Sequence, residues 1–323
     1  MSTTPLLQVN QLTKVFTVGM LAKRQIKAVD DASFTIVGEN PQITALVGES
    51  GSGKSTILRA ILGFIKPTSG EVLYKGKNVL ELLKKDRKTF RKEVQAIFQD
   101  PYSIYNPFYR VDRVLELVMK KFDLAPGMDR EALIEESLRK VGIRPEELLG
   151  RYPHQISGGE RQRLMLARIL LIKPRLLLAD EPVSMIDASL RAIFLDILLD
   201  FKKKYEISSI YVTHDFNVAH YIADDVVVLC NGTVVEKATI DEIVSEPLHP
   251  YTKNLIDSIP IPDPTNRWKD KIELKVTDLK SRIKSHGCIY FNRCPKVCEG
   301  CSDKKPVLKK VGNNREVACF KYN

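Results

Sequence analysis

Nine consecutive residues constrain this chain most: Gly48-Glu49-Ser50-Gly51-Ser52-Gly53-Lys54-Ser55-Thr56. They follow an apolar, β-prone run (Ile43 to Val47) and lead into a helix-like run from Thr56 to Ile65. Strand, glycine loop and helix give the pattern G-x-x-x-x-G-K-[ST] the context of a phosphate site. Glycines let the backbone curl so that several N–H groups point inward. The helix N-terminus adds positive potential where phosphate oxygens would lie. Lys54 is expected to reach the β- and γ-phosphates, and the Ser55 hydroxyl to hold Mg²⁺. The plainer reading is a glycine-rich turn with a solvated lysine; the fit of every position and of both flanks favours a nucleotide. The loop alone does not say what the nucleotide is used for.

Around the loop, strand and helix signals alternate. Residues 6–16 and 26–37 switch between apolar and polar positions and read as antiparallel strands. A short hairpin is expected around Lys75-Gly76, then an exposed, strongly charged helical stretch over 80–95 and a strand from Val94 to Phe98 ending at Gln99. Helical periodicity runs from Val111 to about Leu149, broken at Ala125-Pro126-Gly127. Another helix opens at Ser157-Gly158-Gly159-Glu160 and stops before Pro174. Leu176 to Ala179 reads as a buried strand closed by Asp180-Glu181, and Ser209–Thr213 as a second one ending at His214. Asn231-Gly232 marks a hairpin between Val226–Cys230 and Val234–Lys237. The pattern predicts an α/β fold with a mostly parallel central sheet. Its candidate functional residues fall at strand C-termini, where open parallel sheets bind ligands.

At 323 residues, 44% hydrophobic and 28% charged, the chain has the composition of a globular protein with room for two domains. Arg168 and Lys173 interrupt the most apolar segment, Leu164–Leu178, so no run is long enough to cross a bilayer. The start, Met1-Ser2-Thr3-Thr4-Pro5, lacks the layout of a secretion signal. A cytosolic location follows as the expectation, with any membrane role supplied by a partner. Of the net charge of +10, residues 265–323 carry 15 Lys/Arg against 6 Asp/Glu. A basic tail fits nucleic acid, an anionic surface or a solvated face, and charge alone does not choose. Cys288, Cys294, Cys298, Cys301 and Cys319 share this tail, beyond a linker with Pro260, Pro262 and Pro264. Clustered cysteines in a cytosolic chain read as metal or iron–sulfur ligands rather than disulfides.

Asp180 is suited to hold Mg²⁺ through its water shell and Glu181 to orient the attacking water. Alone, two acids after a strand read as a helix cap or surface pair; beside the phosphate loop they read as chemistry. Ser157-Gly158-Gly159-Glu160 at a helix start is a second anion site. If the two glycine loops lie on separate subdomains, one γ-phosphate cannot be reached by both within a single chain, and two chains facing head to tail are the economical arrangement.

On these motifs residues 6–250 resemble an ABC-transporter ATPase: a P-loop NTPase ABC cassette with a parallel core sheet, an antiparallel β subdomain and a helical subdomain over about 100–172. Gly48–Thr56 matches its Walker A motif, Gln99 its Q-loop glutamine and Ser157–Glu160 its signature motif, with Glu160 where many members carry Gln. Leu176–Asp180 matches Walker B with Glu181 as the catalytic carboxylate, Ser184–Asp187 the D-loop, and His214 the switch histidine. The resemblance implies ATP and Mg²⁺, the metal held by Ser55, Gln99 and Asp180, and an adenine stacked on Phe16. For Phe16 the bland alternative is core packing.

Gln99-Asp100-Pro101-Tyr102-Ser103 and Pro247-x-His249-Pro250-Tyr251-Thr252 resemble the oligopeptide/dipeptide importer ATPases. Cys288, Cys294-Pro295, Cys301 and Cys319 follow the cysteine pattern of that family's C-terminal extension, with Phe291, Arg293 and Pro306 alongside. This implies an ATPase domain over 1–255 and a Cys-rich module over 256–323, holding a 4Fe–4S cluster, which the wide spacing of the cysteines favours, with Zn²⁺ as the alternative. Cys298 is either a spare thiol or a substitute ligand. The implied partners are a paralogous ATPase in a heterodimer, two membrane-spanning permease subunits and an extracellular solute-binding protein, at the cytoplasmic face of the membrane. Oligosaccharide and nickel importers share the pattern. A soluble ABC ATPase of ribosomes or nucleic acid is the competing class; a single cassette, with only residues 57–156 between loop and signature, argues against it, so no nucleic acid is expected. A metal-binding module with a vestigial ATPase is a third.

Overall fold

The computed structural model describes residues 4–19, 24–100, 105–184, 186–259, 287–312 and 314–322. Tyr102 and the proline linker lie outside them. In chain order the elements are β1 (Leu7–Val18), β2 (Arg24–Ile36), β3 (Ile43–Val47), α1 (Lys54–Ile61), β4 (Ser69–Tyr74), β5 (Lys77–Asn78), α2 (Val79–Lys85), α3 (Arg87–Glu93) and β6 (Val94–Ile97). Then come α4 (Arg113–Phe122), α5 (Arg130–Lys140), α6 (Pro145–Leu148), α7 (Gly158–Ile172), β7 (Leu176–Asp180), α8 (Ala188–Tyr205), β8 (Ser208–Thr213), α9 (Phe216–Ile222) and β9 (Asp225–Cys230). Last are β10 (Thr233–Thr239), α10 (Ile240–Ser245), α11 (Pro250–Asp257), β11 (Lys309–Lys310) and β12 (Glu316–Val317).

Two compact units result. The first gathers residues 1–37, 44–79 and 213–323, the second 38–43 and 80–212. In the first unit β2-β1-β4-β5 form an antiparallel sheet. Alternation along β1 fixes its register: Leu7 faces Ile36 and Val9 faces Phe34 across β2, all four of them apolar and buried. The strand order β11-β12-β10-β9-β3 belongs to the same unit. β3 runs parallel to β9 with Val47 beside Val228, and all five of its residues are buried, the mark of a strand covered on both faces. Asn231 (φ +44°) and Gly232 (φ +87°) turn the chain from β9 into β10, a left-handed pair of the kind a tight hairpin needs.

The C-terminal residues join this unit through strand pairing and charge. β12 pairs antiparallel with β10, and β11 with β12. Arg315 meets Glu236 at 2.7 Å, and the fully buried Glu236 carboxylate also accepts the N–H groups of Leu248 (2.9 Å) and His249 (3.0 Å). A buried pair is tolerable only with such complete hydrogen bonding. Lys305 Nζ reaches Asp30 Oδ2 at 3.1 Å.

In the second unit β8-β7-β6 are parallel neighbours, Val94 beside Leu176 and Leu176 beside Ser208. The helical stretch expected over 111–149 is three helices. α4 buries Leu115, Met119 and Phe122, one face at helical spacing, and ends at Asp123 with φ +50°. The break at 125–127 is there, and a second falls after Lys140, where Gly142 has φ +73°.

Candidate nucleotide site

In the first unit the chain leaves β3 at Val47 and enters α1 at Lys54. Gly48 packs against the β9 backbone: a Cβ there would lie 2.1 Å from the Leu229 carbonyl oxygen. Gly53, at φ +103°, caps α1, and a Cβ on it would lie 2.4 Å from the Ala28 carbonyl oxygen. The glycines therefore serve approach as well as curvature. Lys54 is buried. Its ammonium donates to the carbonyls of Gly48 (2.6 Å) and Glu49 (2.9 Å), which bends it over the loop. Ser52 N–H donates to Glu49 (3.1 Å), and its own carbonyl accepts from Gly232 N–H (2.8 Å). Ser50 and Gly51 are exposed; Ser55 and Thr56, on the first turn of α1, are half-buried. Phe16, paired with Ile26 across β2, is 37% exposed with Lys14 Nζ 5.1 Å from its ring centre, so it is a surface aromatic rather than a core one. His214 is exposed directly after β8, before Asp215 caps α9 by accepting from Asn217 N–H.

The second unit carries the remaining candidates. Gln99 is exposed two residues beyond β6. Asp180 ends β7 and pairs with Val212. Glu181 follows at φ +45°, a conformation costly for a non-glycine residue. Its N–H donates to Val212 (3.1 Å), and its carbonyl accepts from the Ser184 N–H (3.2 Å) and hydroxyl (3.0 Å). Ser157 caps α7 in a reciprocal box. Its hydroxyl accepts from Glu160 N–H (3.2 Å), while the Glu160 carboxylate accepts from Ser157 N–H (2.7 Å). Burial would raise the Glu160 pKa, but the Ser157 hydrogen bonds and nearby Arg163 and Arg151 take it below its ordinary value. Gly159 is buried under Leu190, and Asp187 stands exposed at the start of α8.

Sequence reading missed the side chains that hold these loops. Gln162 on α7 donates to the Pro182 carbonyl, tying the Ser157 helix to the segment after Glu181. Buried Tyr105 donates to the Arg161 carbonyl (2.9 Å), and Arg161 to that of Ile156 (3.2 Å). In the first unit Tyr251 Oη accepts the Glu49 N–H (3.0 Å). The sequence flags Tyr251 only as part of a subfamily motif, because its partner lies 202 residues away.

Among the C-terminal thiols, Cys298 and Cys301 have sulfurs 3.3 Å apart, and Cys298 N–H donates to Cys301 Sγ. Burial raises the Cys288 pKa, and the neighbouring Cys301, Cys294 and Cys319 raise it further; Cys319 is raised by burial and then by Cys294 and Cys301. Among the described residues, no group of three or more His, Cys, Asp or Glu is spaced to hold a metal ion. Cys230, in β9, is buried and its thiol pushed up to about 12, an inert core residue.

Residues 29–184 match the ABC transporter family model, and residues 235–301 that of the oligopeptide/dipeptide transporter C-terminal region. The chain is 38% identical over 321 residues to the dipeptide transport ATP-binding protein DppF of Haemophilus influenzae, covering 98% of this chain and 97% of that one. The chain belongs to the ABC transporter ATPases. It is 37% identical over 305 residues to the oligopeptide transport ATP-binding protein OppF of Salmonella typhimurium, covering 93% and 89%. Among solved structures it resembles the ATP-binding cassette MJ0796, dimeric in a post-hydrolysis state bound to ADP and Pi. There the TM-score is 0.63 at 26% identity, over 72% of this chain and 98% of that one. The fold is the ABC cassette, and the enzyme class is ATPase.

Proposed function

We propose that this ABC ATPase powers the import of di- and oligopeptides through a membrane transporter. The observation that carries the reading is the match of residues 235–301 to the oligopeptide/dipeptide transporter C-terminal region, beyond the part shared by ABC ATPases at large. Among the described residues no helix is long and apolar enough to cross a membrane, so passage of the substrate falls to permease subunits. A paralogous ATPase and an extracellular solute-binding protein complete the assembly, which would place this chain at the cytoplasmic face.

In this reading Gly48–Thr56 wraps the triphosphate of ATP, Lys54 reaches its β- and γ-phosphates, and Phe16 stacks on the adenine. Ser55, Gln99 and Asp180 hold Mg²⁺. Glu181 orients and polarises the attacking water, with His214 on the γ-phosphate. Ser157–Glu160 of the facing cassette closes the site, and Asp187 lies in the D-loop between them. Closure follows because a phosphate bound at two helix N-termini draws two chains together. Residues 1–255 would act as the ATPase domain. The 256–323 extension would be a Cys-rich module whose Cys288, Cys294, Cys301 and Cys319 hold a 4Fe–4S cluster or, as the alternative, Zn²⁺, with Cys298, 3.3 Å from Cys301 between sulfurs, as a candidate substitute ligand. The all-thiol donor set supports this, and the bound group would stabilise a segment too small for a core of its own.

The test is purification with any bound membrane proteins, reconstitution into vesicles, and measurement of peptide uptake coupled to phosphate release. Uptake that stops in Glu181→Gln is expected. Co-sedimentation with ribosomes and no membrane partner would overturn the reading. Iron and acid-labile sulfide assay of anaerobically purified protein separates 4Fe–4S from zinc.

A further inference from the structure

The second residue of the phosphate loop is a carboxylate. A carboxylate in a loop that surrounds a triphosphate repels it unless that charge is cancelled. The cancelling group comes from the far end of the chain. Arg293 Nη1 donates to Glu49 Oε1 at 2.9 Å and Nη2 to Oε2 at 3.1 Å, a parallel two-bond fork across 244 residues of sequence. The guanidinium is itself seated, 5.1 Å from the Tyr290 ring centre and 5.9 Å from that of Tyr251. Those two rings meet edge to face at 5.4 Å. Tyr251 also takes the Glu49 backbone N–H, so one cluster grips both ends of that residue. Arg293 lies in the turn Phe291–Arg293, between Cys288 and Cys294.

We propose that Arg293 is a positioning residue of the nucleotide site, which masks the Glu49 charge so that the loop meets the phosphates with Lys54 and its backbone N–H groups unopposed. This rests on residues 48–56 being the nucleotide loop. The C-terminal extension thereby sets nucleotide affinity without touching the nucleotide.

The experiment is titration of the full-length protein with a fluorescent ADP at low and high salt. Arg293→Met keeps the stem against the two tyrosines but removes the charge. It is expected to weaken ADP binding about tenfold, with the loss shrinking as salt rises. Glu49→Gln keeps the shape and removes the carboxylate, leaving Arg293 as an uncompensated positive charge beside the loop. It should therefore bind ADP severalfold tighter than wild type, and affinity that is unchanged or weaker overturns charge masking. The double variant, which lacks both charges, should return to the wild-type value. Wild-type affinity in Arg293→Met would overturn the proposal. So would a Glu49→Gln protein as weak as Arg293→Met with no rescue in the double variant, since the pair would then merely brace the loop. If Arg293→Met does not fold, Glu49→Gln alone still discriminates on that ground. Wild-type protein that fails to bind, or Lys54→Ala that binds normally, would instead remove the loop assignment beneath it.

Discussion

Glu181 sits where β7 gives way to the turn closed by Ser184, in a left-handed conformation that costs a non-glycine residue about 1–3 kcal/mol. The proposed role in orienting the attacking water is one that glycine could not perform. Glu181→Gln should keep nucleotide affinity and lose at least about 100-fold in phosphate release. Glu181→Gly should be as inactive yet raise thermal stability by about 1 kcal/mol, readable in a melt. Gly48→Ala is the converse case: its Cβ would strike the Leu229 carbonyl, so ADP binding should be lost. Both residues stand out in the sequence, because a glycine loop and paired acids after an apolar run are local signals. The partner of Glu49 does not, since no spacing rule links a loop near residue 50 to an arginine near 293.

At the level of elements, those with strong periodicity or a buried run were legible: β3, β7, β8 and β9 as continuous apolar strands, α7 as a long helix. The short α9, α10 and α11 were not, because six to eight residues give little periodicity and their caps decide them. α11 shows how. The neutral His249 ring caps it by accepting the Tyr251 N–H at Nδ1 (3.0 Å). Burial pushes the pKa of His249 down to about 4, against about 6.5 in an unfolded chain. Its contribution to stability is complete above pH 6.5 and is lost as the pH falls toward 4, at about 1.4 kcal/mol per pH unit. His249→Asn keeps a cap acceptor without that titration. Its urea midpoint should fall less between pH 7 and pH 5 than that of wild type. For α7, Ser157→Ala should cost about 1 kcal/mol through the lost cap.

Across the whole molecule, the first unit is assembled from both ends of the sequence, and its C-terminal part is held by charge as much as by burial. Arg315→Ala would strand the buried Glu236 carboxylate and should cost about 3–5 kcal/mol, seen as a lowered melting temperature. Arg315→Lys should recover only part of this, as one ammonium cannot replace the fork. The pairing of β12 with β10 was not legible, because a two-residue strand has no pattern of its own and only the fold brings it to its partner. It also has a solubility consequence. Left bare, β10 would offer passing chains an unpaired ribbon of amide and carbonyl groups, the template on which fibres grow. Here the rim is instead β11, two exposed lysines long, too short to recruit a neighbour and charged enough to repel one.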